Sequence, residues 1–172
     1  MDHWKRIEES LSGKPSSRPL IALWRHFPHD DQSPERLAAQ TLRWQQRWDF
    51  DLVKFMPSGT YGVEDWGAVS ASQNAPNGPR DVVGAGIRDV EDWTKLPLLD
   101  TRKGVYGMQN QALALAAKEL GGRVPILQTV FSPLTTARKL AGDRLFADMR
   151  RAPEVLEKAL SVITDVTIRF AR

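Results

Sequence analysis

Apolar and polar positions fall in blocks along this chain, and the spacing within each block changes from one to the next. Trp4, Ile7 and Leu11 recur at helical spacing and predict a short amphipathic helix over 4–11, followed by a loop, GKPSSRP, over 13–19. Leu20–Trp24 is apolar at every position, which predicts a strand buried on both faces, as in a parallel sheet. Ser33, Pro34 and Glu35 then supply a hydroxyl N-cap, a proline at the first helical position and a first-turn acid. Leu37, Thr41, Trp44 and Trp48 follow along one predicted helix face, and Leu52–Met56 predicts a second strand interrupted only by Lys54. Strand, helix, strand in that order is a βαβ unit with a right-handed crossover.

From Ser58 to Gly104 the chain is rich in Gly, Pro and Asn, with NAPNGP at 74–79; a long stretch of weak periodicity is expected to serve as a functional loop or lid. Within it, 82–87 predicts a short strand and VEDWTKLP a single helical turn ended by Pro97. Val105–Leu120 predicts a helix stopped by Gly121-Gly122, Val124–Phe131 a third strand, and Ser132–Ala141 the helix after it. Pro153 opens a last helix with Leu156, Leu160, Ile163, Thr167 and Phe170 on one face. No capping residue stops that pattern before Arg172, so the expectation is a chain cut inside or just after a helix, with further strands beyond it.

At 172 residues the chain is long enough for one domain with a sizeable core, and 41% hydrophobic against 26% charged residues marks it as globular rather than disordered. Without cysteine, no disulfide, thiolate zinc site or Cys nucleophile is available within these residues. The net charge is +3 with the basic residues dispersed, so no nucleic-acid partner is expected. No run approaches the ~20 apolar residues of a membrane span and no signal peptide opens the chain, which leads to an expectation of no membrane association and a cytoplasmic location.

Parallel α/β folds hold ligands at the carboxyl ends of their strands. Here Arg25, His26, His29, Asp30 and Asp31 follow the first predicted strand, and Ser58 to Trp66 follow the second, the layout of a small-molecule enzyme site. His26 and His29 can move protons near neutral pH or serve as ordinary loop histidines; with Asp30 or Asp31 they form the one conceivable zinc set, although no metal is expected. Lys54 in an apolar strand needs an acid or a route to the strand end. Tyr61 and Trp66 can line an apolar pocket or pack their loop, and Gln128 on the third strand is a candidate pocket amide.

The ordered series LWRHFPHDD, WDFDLVKFMPSGTYGVEDWG, IRDVEDWTKLPLLD and PILQTVFSPLTTARKLAG, followed by a Pro-led helix containing ITDVTIRFAR, resembles the uroporphyrinogen decarboxylase (URO-D) family over nearly all of the chain. The resemblance implies an α/β fold, the N-terminal part of a (β/α)8 TIM-type barrel, incomplete over 1–172, with 1–18 an N-terminal helix and loop. Barrels of this type run to ~250 residues. It implies cofactor-free decarboxylation of a carboxylated small molecule such as a tetrapyrrole acetate, in a full-length protein that is a homodimer. It makes Arg25 the substrate-binding arginine, the bland alternative being an Arg paired with Asp30 or Asp31. Beside it, the residues themselves put forward His26 and Asp65 as further catalytic candidates, and His29, Asp31, Lys54, Ser58, Tyr61 and Gln128 as substrate contacts. Two positions depart from the family pattern: Ser58 stands where decarboxylases carry an aspartate, and Lys139 falls near the family tyrosine. The alternatives are a corrinoid or thiol methyltransferase of the same superfamily, whose His and Cys zinc ligands belong to the second half of the barrel, and a catalytically silent fragment.

Overall fold

The computed structural model describes residues 2–13, 18–73 and 75–172. Residues 14–17 of the predicted first loop and Asn74 of NAPNGP lie outside the described residues. Helix α1 (His3–Leu11) is capped by the Asp2 carboxylate, which accepts from the Trp4 and Lys5 N–H groups. Helix α2 (Pro34–Trp48) begins as its sequence requires, with the Ser33 hydroxyl accepting from the Arg36 N–H, and ends at Asp49 in the left-handed region. Strand β1 (Val53–Phe55) and a one-turn helix, α3 (Tyr61–Glu64), follow. A hairpin of β2 (Val69–Ser72) and β3 (Arg80–Gly84) leads to a 3-10 turn at Glu91–Lys95. Helix α4 (Gly104–Leu120) stops at Gly121 in the left-handed region, as the glycine pair predicts. Strand β4 (Ile126–Gln128) lies parallel to β1, with Val53 opposite Ile126 and Phe55 opposite Gln128. Helices α5 (Pro133–Ala141), α6 (Arg144–Arg151) and α7 (Pro153–Ala171) complete the described chain. No helix among the described residues is long and apolar enough to cross a membrane.

The parallel β1–β4 pair divides two environments. Phe55 packs on one side into a cluster with Leu37, Ala38, Ala112 and Ala116 of α2 and α4. Alternation puts Lys54 and its register partner Leu127 on the opposite face, where Leu127 remains 57% exposed. A second, larger cluster joins Tyr61, Trp66, Trp93 and Tyr106 to Leu140, Ile163 and Phe170, so that α3, α4, α5 and α7 share one core beneath the loop that follows β1.

Several elements differ from expectation. Leu20–Trp24 is extended but forms no strand. Pro19 has no N–H, and the Ile21 N–H bonds the Asp51 carboxylate (2.8 Å) where a ladder would need a backbone carbonyl. The segment still runs alongside β1 in the same direction. The Asp51 N–H donates to the Ile21 carbonyl (2.9 Å), Lys54 lies over the Trp24 ring, and His26 reaches Pro57. The third strand shortens to three residues because Pro125 lacks an N–H and Pro133 already begins α5. The strand predicted over 82–87 is β3, at Arg80–Gly84, paired with β2, which went unpredicted, as did α3 and α6. On α2 the buried face is Leu37, Ala38, Thr41 and Gln45, and Trp48 is left half exposed against the edge of Trp44.

Candidate functional site

The segment 55–60, from the end of β1 to the start of α3, is buried throughout, and ionisable side chains from three other parts of the chain converge on it. His26 comes from the extended segment beside β1. Its ring donates to the Pro57 carbonyl, while Nδ1, also buried, has no partner among the described residues. Burial pushes the imidazole below its ordinary pKa, and the nearby charges of Lys139 and Lys54 act the same way, against the opposing Pro57 bond. His26 is therefore neutral near pH 7.

Asp31 is 1% exposed. Burial raises its carboxyl to about 6, the Gln32 amide bond and the Arg80 charge lower it in part, and Glu64 and Asp30 raise it further. Arg80, from β3, faces Asp31 Oδ1 at 3.8 Å and donates to the Ser70 hydroxyl at 3.1 Å; Asp31 Oδ2 has no partner among the described residues. The Thr60 hydroxyl donates to Glu64 at 2.6 Å. From α5, Lys139 donates to the Gly59 carbonyl and lies over the Phe131 ring, 4.5 Å from its centroid, with burial pulling its pKa down. Ser58, fully buried at the strand end, presents a hydroxyl with no partner among the described residues. Between β3 and α5 opens a cavity of about 370 Å³ walled by Thr60, Arg80, Asp81 and Lys139.

Of the residues expected from sequence, His26, Asp31 and Ser58 lie here, and Lys54 adds its charge from the face of the β1–β4 pair that it shares with Leu127 of β4. Gln128 lies opposite Phe55 on β4 and leaves its buried Oε1 unpartnered among the described residues. Others are placed elsewhere. Arg25 meets no acid among the described residues. It donates to the Pro76 carbonyl (2.9 Å) and lies over the Phe27 and Trp44 rings, while Asp30 holds Arg36 and Gln40. His29 is exposed, its carbonyl accepting from Arg36. Tyr61 is a core residue whose hydroxyl donates to the Thr129 carbonyl (3.0 Å), and burial pushes its pKa up. Asp65 caps α4, accepting from the Val105 and Tyr106 N–H groups at 2.9 and 3.0 Å, so its carboxylate is committed to a helix end rather than to the mouth. Trp66 is buried, with its indole on the Pro97 carbonyl. Arg80, Thr60 and Glu64 were missed. A charge at the head of an apolar strand (Arg80-Asp81-Val82-Val83) and a cation at the departing position Lys139 were the available signals.

Among the described residues, no three His, Cys, Asp or Glu side chains could hold a metal ion, and the His26, His29 and aspartate set is not assembled.

A methyltransferase from Methanosarcina mazei has the same fold as this chain, with a TM-score of 0.80 at 20% identity over 99% of this chain and 55% of that protein. Methylcobamide:CoM methyltransferase MtbA of Methanosarcina acetivorans is 22% identical over 86 residues, 50% of this chain and 25% of MtbA. The chain thus matches about half or less of the length of each. The model of the uroporphyrinogen decarboxylase (URO-D) family matches residues 15–172, and the chain belongs to that family.

Proposed function

We propose that this chain is the N-terminal part of a methyltransferase-type enzyme of the URO-D superfamily, and that it supplies the substrate-gripping side of the active-site mouth at the carboxyl end of β1. The observation that carries this reading is the charge around Ser58. A decarboxylase that relies on a protonated pyrrole as its electron sink needs an anion against the ring. Here the strand end is a neutral hydroxyl, the charges of Lys54 and Lys139 reach the neighbouring His26, and the nearby carboxylate of Asp31 is turned to Arg80. Such a mouth favours anionic ligands over a developing cation. Likeness to two methyltransferases, one acting between a methylcobamide and coenzyme M, supports the same choice.

In this reading Lys139 and Arg80 hold and orient an acidic substrate, and neutral His26 can accept a proton at Nδ1. The zinc implied for methyltransferase relatives finds no donor set among the described residues, and no step is assigned to it here. A second reading, decarboxylation of a carboxylated small molecule, is favoured by Asp31, whose carboxyl titrates at about 6 and can deliver a proton near neutral pH. The protein from the complete reading frame should demethylate methylcobalamin in the presence of coenzyme M, followed by absorbance, and leave uroporphyrinogen unchanged. Carboxyl loss from uroporphyrinogen without methyl transfer would reverse the order of the two readings.

A further inference from the structure

We propose that the cavity between β3 and α5 binds the oxyanion group of a small organic ligand (carboxylate, sulfonate or phosphate) between Arg80 and Lys139. The inference rests on the reading of this strand end as the substrate mouth and specifies the chemistry of what enters it. The cavity of about 370 Å³ has three cations in its wall, Arg80, Arg138 and Lys139, against one carboxylate, Asp81. Arg138 is spoken for by Asp143. The other two come from elements far apart in the chain, and each is withdrawn from water with its charge incompletely matched. Arg80 is 16% exposed in its side chain, and its facing carboxylate stands at 3.8 Å, beyond hydrogen-bond length. Lys139 donates to a carbonyl and lies on a ring face, and no ion pair within 4 Å among the described residues includes it, although the charge of Asp81 on the same wall offsets part of its own.

A half-buried cation whose counter-charge stands beyond hydrogen-bond length keeps attraction to spare, and two of them on one cavity wall bias that space toward an anion. The pair is also complementary in form. Arg80 already donates Nε to the Ser70 hydroxyl and Nη2 to the Ser70 carbonyl, so an anion would be met by the remaining guanidinium N–H groups, with the ammonium adding a compact charge. Asp31 and Ser70 hold Arg80 from behind and Gly59 holds Lys139, so both donors are set before a ligand arrives. Ser58, two residues before the cavity-lining Thr60, adds to the same turn a buried hydroxyl with no partner among the described residues.

The test is a titration of the full chain with inorganic phosphate and with methanesulfonate at ionic strength held constant by chloride, read from the ¹⁵N-resolved Arg80 Nε–H signal. Saturable binding of at least one anion is expected. It should weaken about tenfold in K139M and in R80Q and recover in large part in K139R, consistent with loss and return of a charge-assisted contact. K118Q, on the exposed side of α4, should bind as the parent does. Because K139R keeps the charge, a variant that merely unfolds is distinguished from one that loses the site. Non-saturable shifts in the parent, or K139M binding within about twofold of it, would overturn the proposal. Anion binding without methyl transfer would leave this inference standing and remove only the reaction proposed above.

Discussion

Asp31 gives the sharpest test of the electrostatics at the mouth, because replacing it with its neutral isostere should make the protein more stable. Its carboxyl is raised from 3.8 to about 6, chiefly by burial, even with the Arg80 attraction already counted as a lowering influence. At roughly 1.36 kcal/mol per pKa unit, holding this group ionised costs the folded state about 3 kcal/mol. A folded pKa above the unfolded one means that the native state binds the extra proton between 3.8 and about 6. Stability from this group is therefore greatest below that window, falls as pH rises through it and is level above it. Asp31→Asn should be indistinguishable from the parent below pH ~3 and gain about 3 kcal/mol by pH ~7. Urea unfolding monitored by tryptophan fluorescence across that range measures the gap. His26, whose depressed pKa changes stability in the opposite direction below 6.5, is common to both proteins and drops out of the difference. If Asp31→Asn is no more stable than the parent at neutral pH, or if the gap is independent of pH, the carboxylate is better compensated than the geometry implies.

Asp51 should behave in the opposite way. Burial raises its pKa, but the bonds from Arg18, the Ile21 N–H and Arg6 outweigh burial and hold it below the usual carboxylate range. Asp51→Asn should cost about 2–4 kcal/mol at neutral pH, as expected for breaking a buried ion-pair cluster, and the penalty should vanish in acid as the parent carboxyl takes up its proton. Equal penalties at pH ~7 and pH ~3 would refute this. Asp65→Ala removes the cap on two N–H groups of α4 and should lower stability by about 1–2 kcal/mol in chemical denaturation. Gly104 has φ +57°, and a Cβ there would lie 2.3 Å from Asp65 Oδ1. Gly104→Ala should thus cost distinctly less in the Asp65→Ala background than in the parent, and strict additivity in that double-mutant cycle would show that the close approach is not what the glycine serves.

The elements that could be read from sequence are those whose signals are local. Ser33-Pro34 and Ser132-Pro133 both start helices where their caps require, and Gly121 ends α4 in the left-handed region. The parallel β1–β4 pair follows from two apolar runs separated by helices. Leu20–Trp24 failed as a strand because a side-chain carboxylate 30 residues away captured its ladder donor, which no periodicity encodes. The same limit applies to the site. His26, Asp31 and Ser58 lie in the polar stretches that follow two apolar segments and could be chosen by position, whereas Arg80 and Lys139 line one cavity only once β3 and α5 come together. Asp65 misled for the complementary reason. An acid in a polar, aromatic loop looks catalytic until the helix it caps, 40 residues on, comes into view.

The residues that turned out not to face the mouth still account for its shape. The turn carrying Ser58, Gly59 and Thr60 is pinned from below by Tyr61, whose hydroxyl bonds the Thr129 carbonyl beyond β4 and whose ring stacks on Phe131. On its far side Asp65 ties it to α4 and Trp66 to the Pro97 carbonyl. These anchors sit in the larger core, where packing and backbone hydrogen bonds favour one geometry, and they hold the turn whose Ser58 hydroxyl has no partner among the described residues. Loosely matched charge and an unpartnered hydroxyl cost stability wherever they occur. Here they are concentrated on a rigid turn at a strand end, beside a cavity, which is where a protein gains most from holding donors in place before its ligand arrives. The division of labour follows from that. The aromatic and capping residues of 61–66 hold the turn, and the cations brought in from β1, β3 and α5 give it its chemistry.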